Sequence, residues 1–118
     1  MTNTSTTESV QIAMTIMDQI PVMDKMAVGY RNPQAMMESP EARGGLRFKV
    51  NQQPKRYVEI ELCWNDTYRV TYFRLKRGTY ERITLAKSDN IYCDMLGSEI
   101  YNMTQKTDDF NKSQGAYG

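Results

Sequence analysis

The sequence predicts an α+β fold: a four- to five-stranded, mostly antiparallel sheet with an N-terminal and a C-terminal helix on one face. Two observations carry that reading. Between residues 46 and 85, apolar and polar side chains alternate in short runs separated by turn residues, the pattern of half-buried strands. On either side of this block, apolar residues recur at helical spacing, so two amphipathic helices are available to cover one sheet face. A third bounds the answer: 118 residues amount to a single domain.

The elements follow in order. Residues 1–6 are polar and read as a flexible tail, the domain as residues 7–104, and residues 105–118 as a second, disordered tail. The first helix opens at Ser5, with Glu8 at the capping-box spacing. Val10, Ala13, Met14, Met17 and Ile20 form its apolar stripe, widened by Ile12 and Ile16, and Pro21 ends it. Lys25 to Tyr30 reads as a short strand, with Met26, Val28 and Tyr30 on one side. Asn32 to Gly45 reads as the loosest stretch, with Pro33, Pro40 and Gly44-Gly45, and it carries Met36-Met37 as an exposed apolar contact candidate or a lid over the core edge.

The sheet then begins. Leu46, Phe48 and Val50 point inward, as do Val58, Ile60, Leu62 and Trp64, then Val70, and finally Ile83 and Leu85. Asn65-Asp66 is a tight turn, because both residues tolerate the left-handed backbone. Lys76-Arg77-Gly78 turns the chain again. Ser88 or Asp89 caps the closing helix, whose core face is Ile91, Met95, Leu96, Ile100 and Met103.

The outward sheet face is the informative one. Arg47 and Lys49 lie on one strand, Glu59 and Glu61 on the next, and Arg69 and Thr71 on the third. Alternating signs on neighbouring strands suit cross-strand ion pairs, and two carboxylates in mid-sheet repel phosphates. Tyr57 and Phe73 lie outward as well, available to a partner or to stacked bases. From Arg43 to Lys87 the charge balance is +7, against −6 for the rest, which favours a polyanionic partner or internal neutralisation.

Several chemistries are excluded. The chain has no histidine, which removes Ser-His-Asp and Cys-His catalysis and most catalytic metal sites. Gly44-Gly45 lacks the Lys-Ser/Thr of a phosphate loop. Cys63 and Cys93 form neither a disulfide framework nor a metal knuckle, and a reducing cytoplasm suits them. No apolar run approaches the roughly 18 residues that span a bilayer, and the N-terminus has no signal-peptide pattern. The expectation is a protein without catalytic residues, metal or cofactor, acting in the host cytoplasm.

Some segments carry a resemblance. Thr15-Ile16-Met17-Asp18-Gln19-Ile20, Lys25-Met26-Ala27-Val28-Gly29, Leu46-Arg47-Phe48-Lys49-Val50 and Asp66-Thr67-Tyr68-Arg69-Val70 precede a closing segment from Ile91-Tyr92 to Ile100-Tyr101. This order resembles a family of small hypothetical proteins of bacteriophages and mobile elements. Its members run Asn-Thr-Ile-Leu-x-Gln-Leu-Gly-Gly, Lys-Phe-x-x-Met-Thr-Gly-Ala-Lys, an apolar strand, Asp-Thr-Tyr and a closing helix. Here Pro21-Val22 replaces the Gly-Gly, and Val28-Gly29-Tyr30-Arg31 replaces Thr-Gly-Ala-Lys. The resemblance spans Thr15 to Thr104 and implies a phage-like context without assigning a site.

The leading expectation is a non-enzymatic accessory protein of a phage or mobile element that binds a host or viral protein, in an anti-defence or take-over role. Its expected contacts are Met36, Met37, Tyr57 and Phe73. The alternative is nucleic-acid binding by Lys49, Arg56, Arg69, Arg74, Lys76 and Arg77, the last three at a hairpin tip that also reads as a solubilising turn. A third reading is a virion structural or assembly component. No membrane partner is expected, and homo-oligomerisation is left open.

Overall fold

A computed structural model describes the backbone of residues 4–50, 56–76, 78–79 and 81–113, and the side chains of those between 8 and 104. Two helices, α1 (Thr4–Gln19) and α2 (Val22–Val28), precede five strands: β1 (Arg31–Met36), β2 (Ala42–Lys49), β3 (Arg56–Cys63), β4 (Tyr68–Leu75) and β5 (Arg82–Ile91). A 3₁₀ turn at Cys93–Met95 leads into α3 (Leu96–Ser113). The strands form one sheet in the order β1-β2-β3-β4-β5, each antiparallel to the next. The expected α+β meander is therefore what the chain forms.

The register fixes the two faces. Leu46 pairs with Ile60 and Phe48 with Val58, while Ile60 and Val58 pair with Val70 and Tyr72. All six are 1% exposed or less and form the floor of the core. Ala13, Ile16 and Ile20 of α1, and Leu96, Ile100 and Met103 of α3, complete it from above. Burying each such aliphatic side chain contributes about 1.5–3 kcal/mol. The Tyr68 hydroxyl donates to Gln19 Oε1 at 2.7 Å and ties the sheet to the end of α1. Thr104 sits in the core, its hydroxyl donating to the Ile100 carbonyl at 2.9 Å.

Several expectations need correction. Lys25 to Tyr30 is not a strand. Val22–Val28 is a helix, closed by Gly29 in the left-handed conformation, with the Tyr30 N–H returning to the Lys25 carbonyl at 3.0 Å. Pro21 before and Gly29 after are the bracket that marks a short helix. Asn32–Gly45 is not loose: it holds β1, a turn and the start of β2. The turn is closed by the Ser39 N–H on the Ala42 carbonyl at 2.8 Å, with Ser39 Oγ accepting from the Ala42 N–H at 3.2 Å.

Helix α1 spans Thr4–Gln19, so helical backbone begins one residue before Ser5. Its buried face is Ser9, Ala13, Ile16 and Ile20; Val10 and Met14 point to solvent. Trp64 lies in the β3–β4 turn, 51% exposed, instead of in the core. Strand β5 runs on to Ile91 through a left-handed Asn90, so Ser88 and Asp89 are not caps. Met95 is exposed. Helical backbone continues past Thr104 to Ser113. The Gln52-Gln53-Pro54 turn, Arg77 and residues 114–118 lie outside the described residues.

Candidate functional site

The helices cover one sheet face and leave the other open. On the open face, alternation places Arg47 and Lys49 of β2, Tyr57, Glu59 and Glu61 of β3, and Arg69, Thr71 and Phe73 of β4. Arg47 pairs in register with Glu59, and Glu61 with Arg69. The sign alternation legible in the sequence becomes a cross-strand ion pair at Arg47–Glu59, whereas Arg69 bonds to Glu41 and Asp89.

Glu59 is the centre of this face. It is only 3% exposed, the buried carboxylate among the described residues. Arg47 Nε donates to its Oε2 at 2.8 Å, with Nη2 at 2.6 Å from the same oxygen. Arg82 Nη2, from β5, reaches Oε1 at 2.5 Å. Each carboxylate oxygen therefore has its own guanidinium. To arrive there, Arg82 crosses β4 and lays its guanidinium 3.9 Å above the centre of the Phe73 ring. Phe73 in turn stacks on Tyr57, with centroids 5.4 Å apart and planes 14° from parallel. Lys49 Nζ stands 5.9 Å from the Tyr57 ring on the far side of the stack.

This ladder of Lys49, Tyr57, Phe73 and Arg82 has a consequence for recognition. The ring faces are already occupied by each other and by cations, and Phe73 is 3% exposed. Phe73 faces outward as expected, yet it has no free surface on which a base could stack. The same side chains, with Asn32, Pro33, Gln34, Arg47 and Leu75, line an open depression of about 810 Å³ reaching from β1 to β5.

The far end of the open face is electrically closed. Arg69 donates to Glu41 and to Asp89, both at 2.8 Å, and these bonds hold its pKa above the ordinary arginine value. Arg43 pairs with Asp66 at 3.2 Å and lies over the Trp64 ring. A smaller depression of about 380 Å³ there is lined by Glu41, Cys63, Trp64, Arg69 and Asp89. Burial pushes the Cys63 thiol up, away from the reactive thiolate. Burial likewise raises the Glu61 carboxyl, more than the neighbouring Arg69 lowers it.

The residues expected to bind nucleic acid do not gather. Lys49 lies on the open face, and Arg69 is there but neutralised. Arg56 pairs in register with Arg74, alternating with the outward residues, and its Nη1 donates to the Tyr72 hydroxyl at 2.7 Å. Lys76 is exposed at the β4–β5 connection. Of the expected protein contacts, Tyr57 and Phe73 meet, whereas Met36 is half-buried opposite Gly45 and Met37 is exposed beyond the end of β1. Neither methionine lines the larger depression.

Sequence reasoning missed two features. Arg82 was legible as an outward residue, since Ile83 alternates with it, but its reach to Glu59 two strands away was not. The second is the exposed face of α2, where Val22, Met23 and Met26 are 66%, 77% and 73% exposed. A strand reading of this segment hid that face. Among the described residues, no three His, Cys, Asp or Glu side chains gather as metal ligands, and no helix is long and apolar enough to cross a membrane. No family model, curated protein or solved structure matches the chain.

Proposed function

We propose that the chain is a small non-enzymatic accessory protein of a phage or mobile element that acts by binding a host or viral protein. The observation that carries this reading is α2. A seven-residue helix turns Val22, Met23 and Met26 to solvent while only Val28 is buried. Large apolar side chains clustered on one short exposed element mark a contact surface, because leaving them wet forgoes about 1.5–3 kcal/mol each. Methionines suit such a surface, since their flexible thioethers adapt to a partner. Val10 and Met14 of α1 are exposed too.

The remaining features point the same way. The chain has no histidine, Glu59 is engaged by two arginines, and the Cys63 thiol is held protonated by burial. Partner pairing along a sheet edge is disfavoured: β1 carries Pro33 and a register shift, and β5 has two register shifts. The nucleic-acid reading is the weaker one, because its cations are divided between two faces and Arg69 is internally neutralised. The phage-like context rests on the sequence resemblance between Thr15 and Thr104.

The test is photo-crosslinking from position 23 in cells of the host, with position 76 as control. A protein adduct from position 23 that is lost in Met26→Glu, while that variant keeps its melting temperature, supports the reading. Equal adducts from both positions, or none, overturns it.

A further inference from the structure

We infer that the open sheet face carries a second binding site, separate from α2, that takes an extended acidic segment of a protein: a run containing two or more Asp or Glu carboxylates. Arginine has five N–H donors. Arg47 spends its Nε and Nη2 groups on Glu59, and Arg82 only Nη2. Their side chains remain 40% and 45% exposed, so the unused donors face the depression. Glu59 fixes both guanidiniums, which lowers the entropy an incoming anion must overcome. Lys49 adds a third cation on the same lining and has no carboxylate partner among the described residues. Three cations against one carboxylate leave this end of the face positive, and the two-guanidinium pair is placed for oxyanions.

Shape decides between anionic occupants. The lining crosses all five strands, and four strand spacings of about 4.8 Å make a trough about 19 Å long. Six residues of extended chain, at about 3.3 Å each, span that length. A single strand of nucleic acid is disfavoured, because the Tyr57 and Phe73 ring faces are taken and the positive region stops where Arg69 meets Glu41 and Asp89. The trough is open to solvent, without the walls that enclose a small-molecule ligand. An acidic segment needs neither free rings nor walls, only spaced donors.

The test is fluorescence anisotropy with the full chain and a labelled twelve-residue Gly-Ser peptide carrying four Glu residues. Its all-Gln counterpart and an oligothymidine of equal length are run beside it, at low and at moderate salt. The Glu peptide should bind at low salt and the Gln peptide should not. Lys49→Gln should weaken binding about fivefold, the loss expected for one partly solvated ion pair. Arg82→Lys, which keeps the charge and removes the fork, should weaken it as well. Lys76→Gln removes the same unit of charge outside the trough and should change affinity less than twofold. Circular dichroism confirms that each variant is folded. Absence of Glu-peptide binding at low salt would overturn the inference, as would equal losses in Lys49→Gln and Lys76→Gln, or tighter binding of the oligothymidine. Because the peptide assay does not involve α2, its failure leaves the crosslinking result from position 23 untouched.

Discussion

The Arg47–Glu59–Arg82 cluster predicts an unequal response to losing its members. Glu59 is buried, whereas both arginines are partly solvated. Replacing Glu59 by Gln leaves the guanidiniums free to take water, so the loss is that of charge-assisted hydrogen bonds, about 1–2 kcal/mol. Replacing both arginines by Met keeps much of their aliphatic cover but leaves a carboxylate buried without a counter-charge. That costs about 3–5 kcal/mol at a fully buried site, and about 3 kcal/mol is expected here, where the face is open. Adding Glu59→Gln to the double variant removes the stranded charge and should recover about half of the loss. R47M/R82M should therefore be the least stable, with E59Q and the triple variant both between it and wild type. Urea unfolding at neutral pH reads this directly, and each kcal/mol corresponds to about 4 °C in melting temperature for a domain of this size. The reasoning is refuted if R47M/R82M loses less than about 1 kcal/mol, or if adding E59Q lowers stability further.

Other consequences are local. Gly45→Ala should destabilise by about 2 kcal/mol or more in thermal unfolding, because the new Cβ would run into the Ile60 carbonyl oxygen and lie 3.1 Å from Glu61 Cα. Tyr68→Phe removes the bond to Gln19 Oε1 and should cost about 1 kcal/mol, measured the same way, without changing the peptide assay. Glu61→Gln carries a sign with pH. Burial raises the Glu61 carboxyl above its ordinary 4.5, so the folded state holds this proton more tightly than the unfolded chain and Glu61 subtracts stability as pH rises through that range. The Gln variant should therefore match wild type at pH 3 and melt higher at pH 7; the reverse order would contradict the burial argument.

How much of this was legible in the sequence depends on how local the signal was. Strict alternation over Leu46–Val50 and Val58–Leu62 sets a register that the fold keeps, because a one-residue slip would turn Phe48 and Ile60 to solvent. The Asn65-Asp66 turn was equally local: Asn65 Oδ1 accepts from the Thr67 N–H and hydroxyl, and Asp66 takes the left-handed backbone. Helix α1 was legible as a helix but not in its orientation. Its apolar residues cover more than one stripe, and the arc that faces inward is chosen by the sheet, where Gly44 lies under Ile12. Helix α2 is two turns long, too short for a period to declare itself, and Met26, Val28 and Tyr30 fit a strand equally well.

The open face was readable one strand at a time and not as a site. A side chain's outward direction follows from the pleat, but its partner two strands away depends on register shifts, and β4 and β5 slip between Tyr72 and Phe73. That slip sets Thr84 opposite Phe73 and Arg82 opposite Leu75, from where the Arg82 guanidinium can cover Phe73 and still reach Glu59. One irregularity in the sheet thereby does three things: it seals an outward aromatic from water, neutralises a buried carboxylate, and leaves a fixed guanidinium facing the trough. A ladder continued from Tyr72–Ala86 without the slip would have set Leu85 opposite Phe73 and turned Arg82 to the other face, away from Glu59. The open face thus keeps unspent donors for an anionic occupant, while the most exposed large apolar side chains among the described residues, Val22, Met23 and Met26, lie on α2 instead.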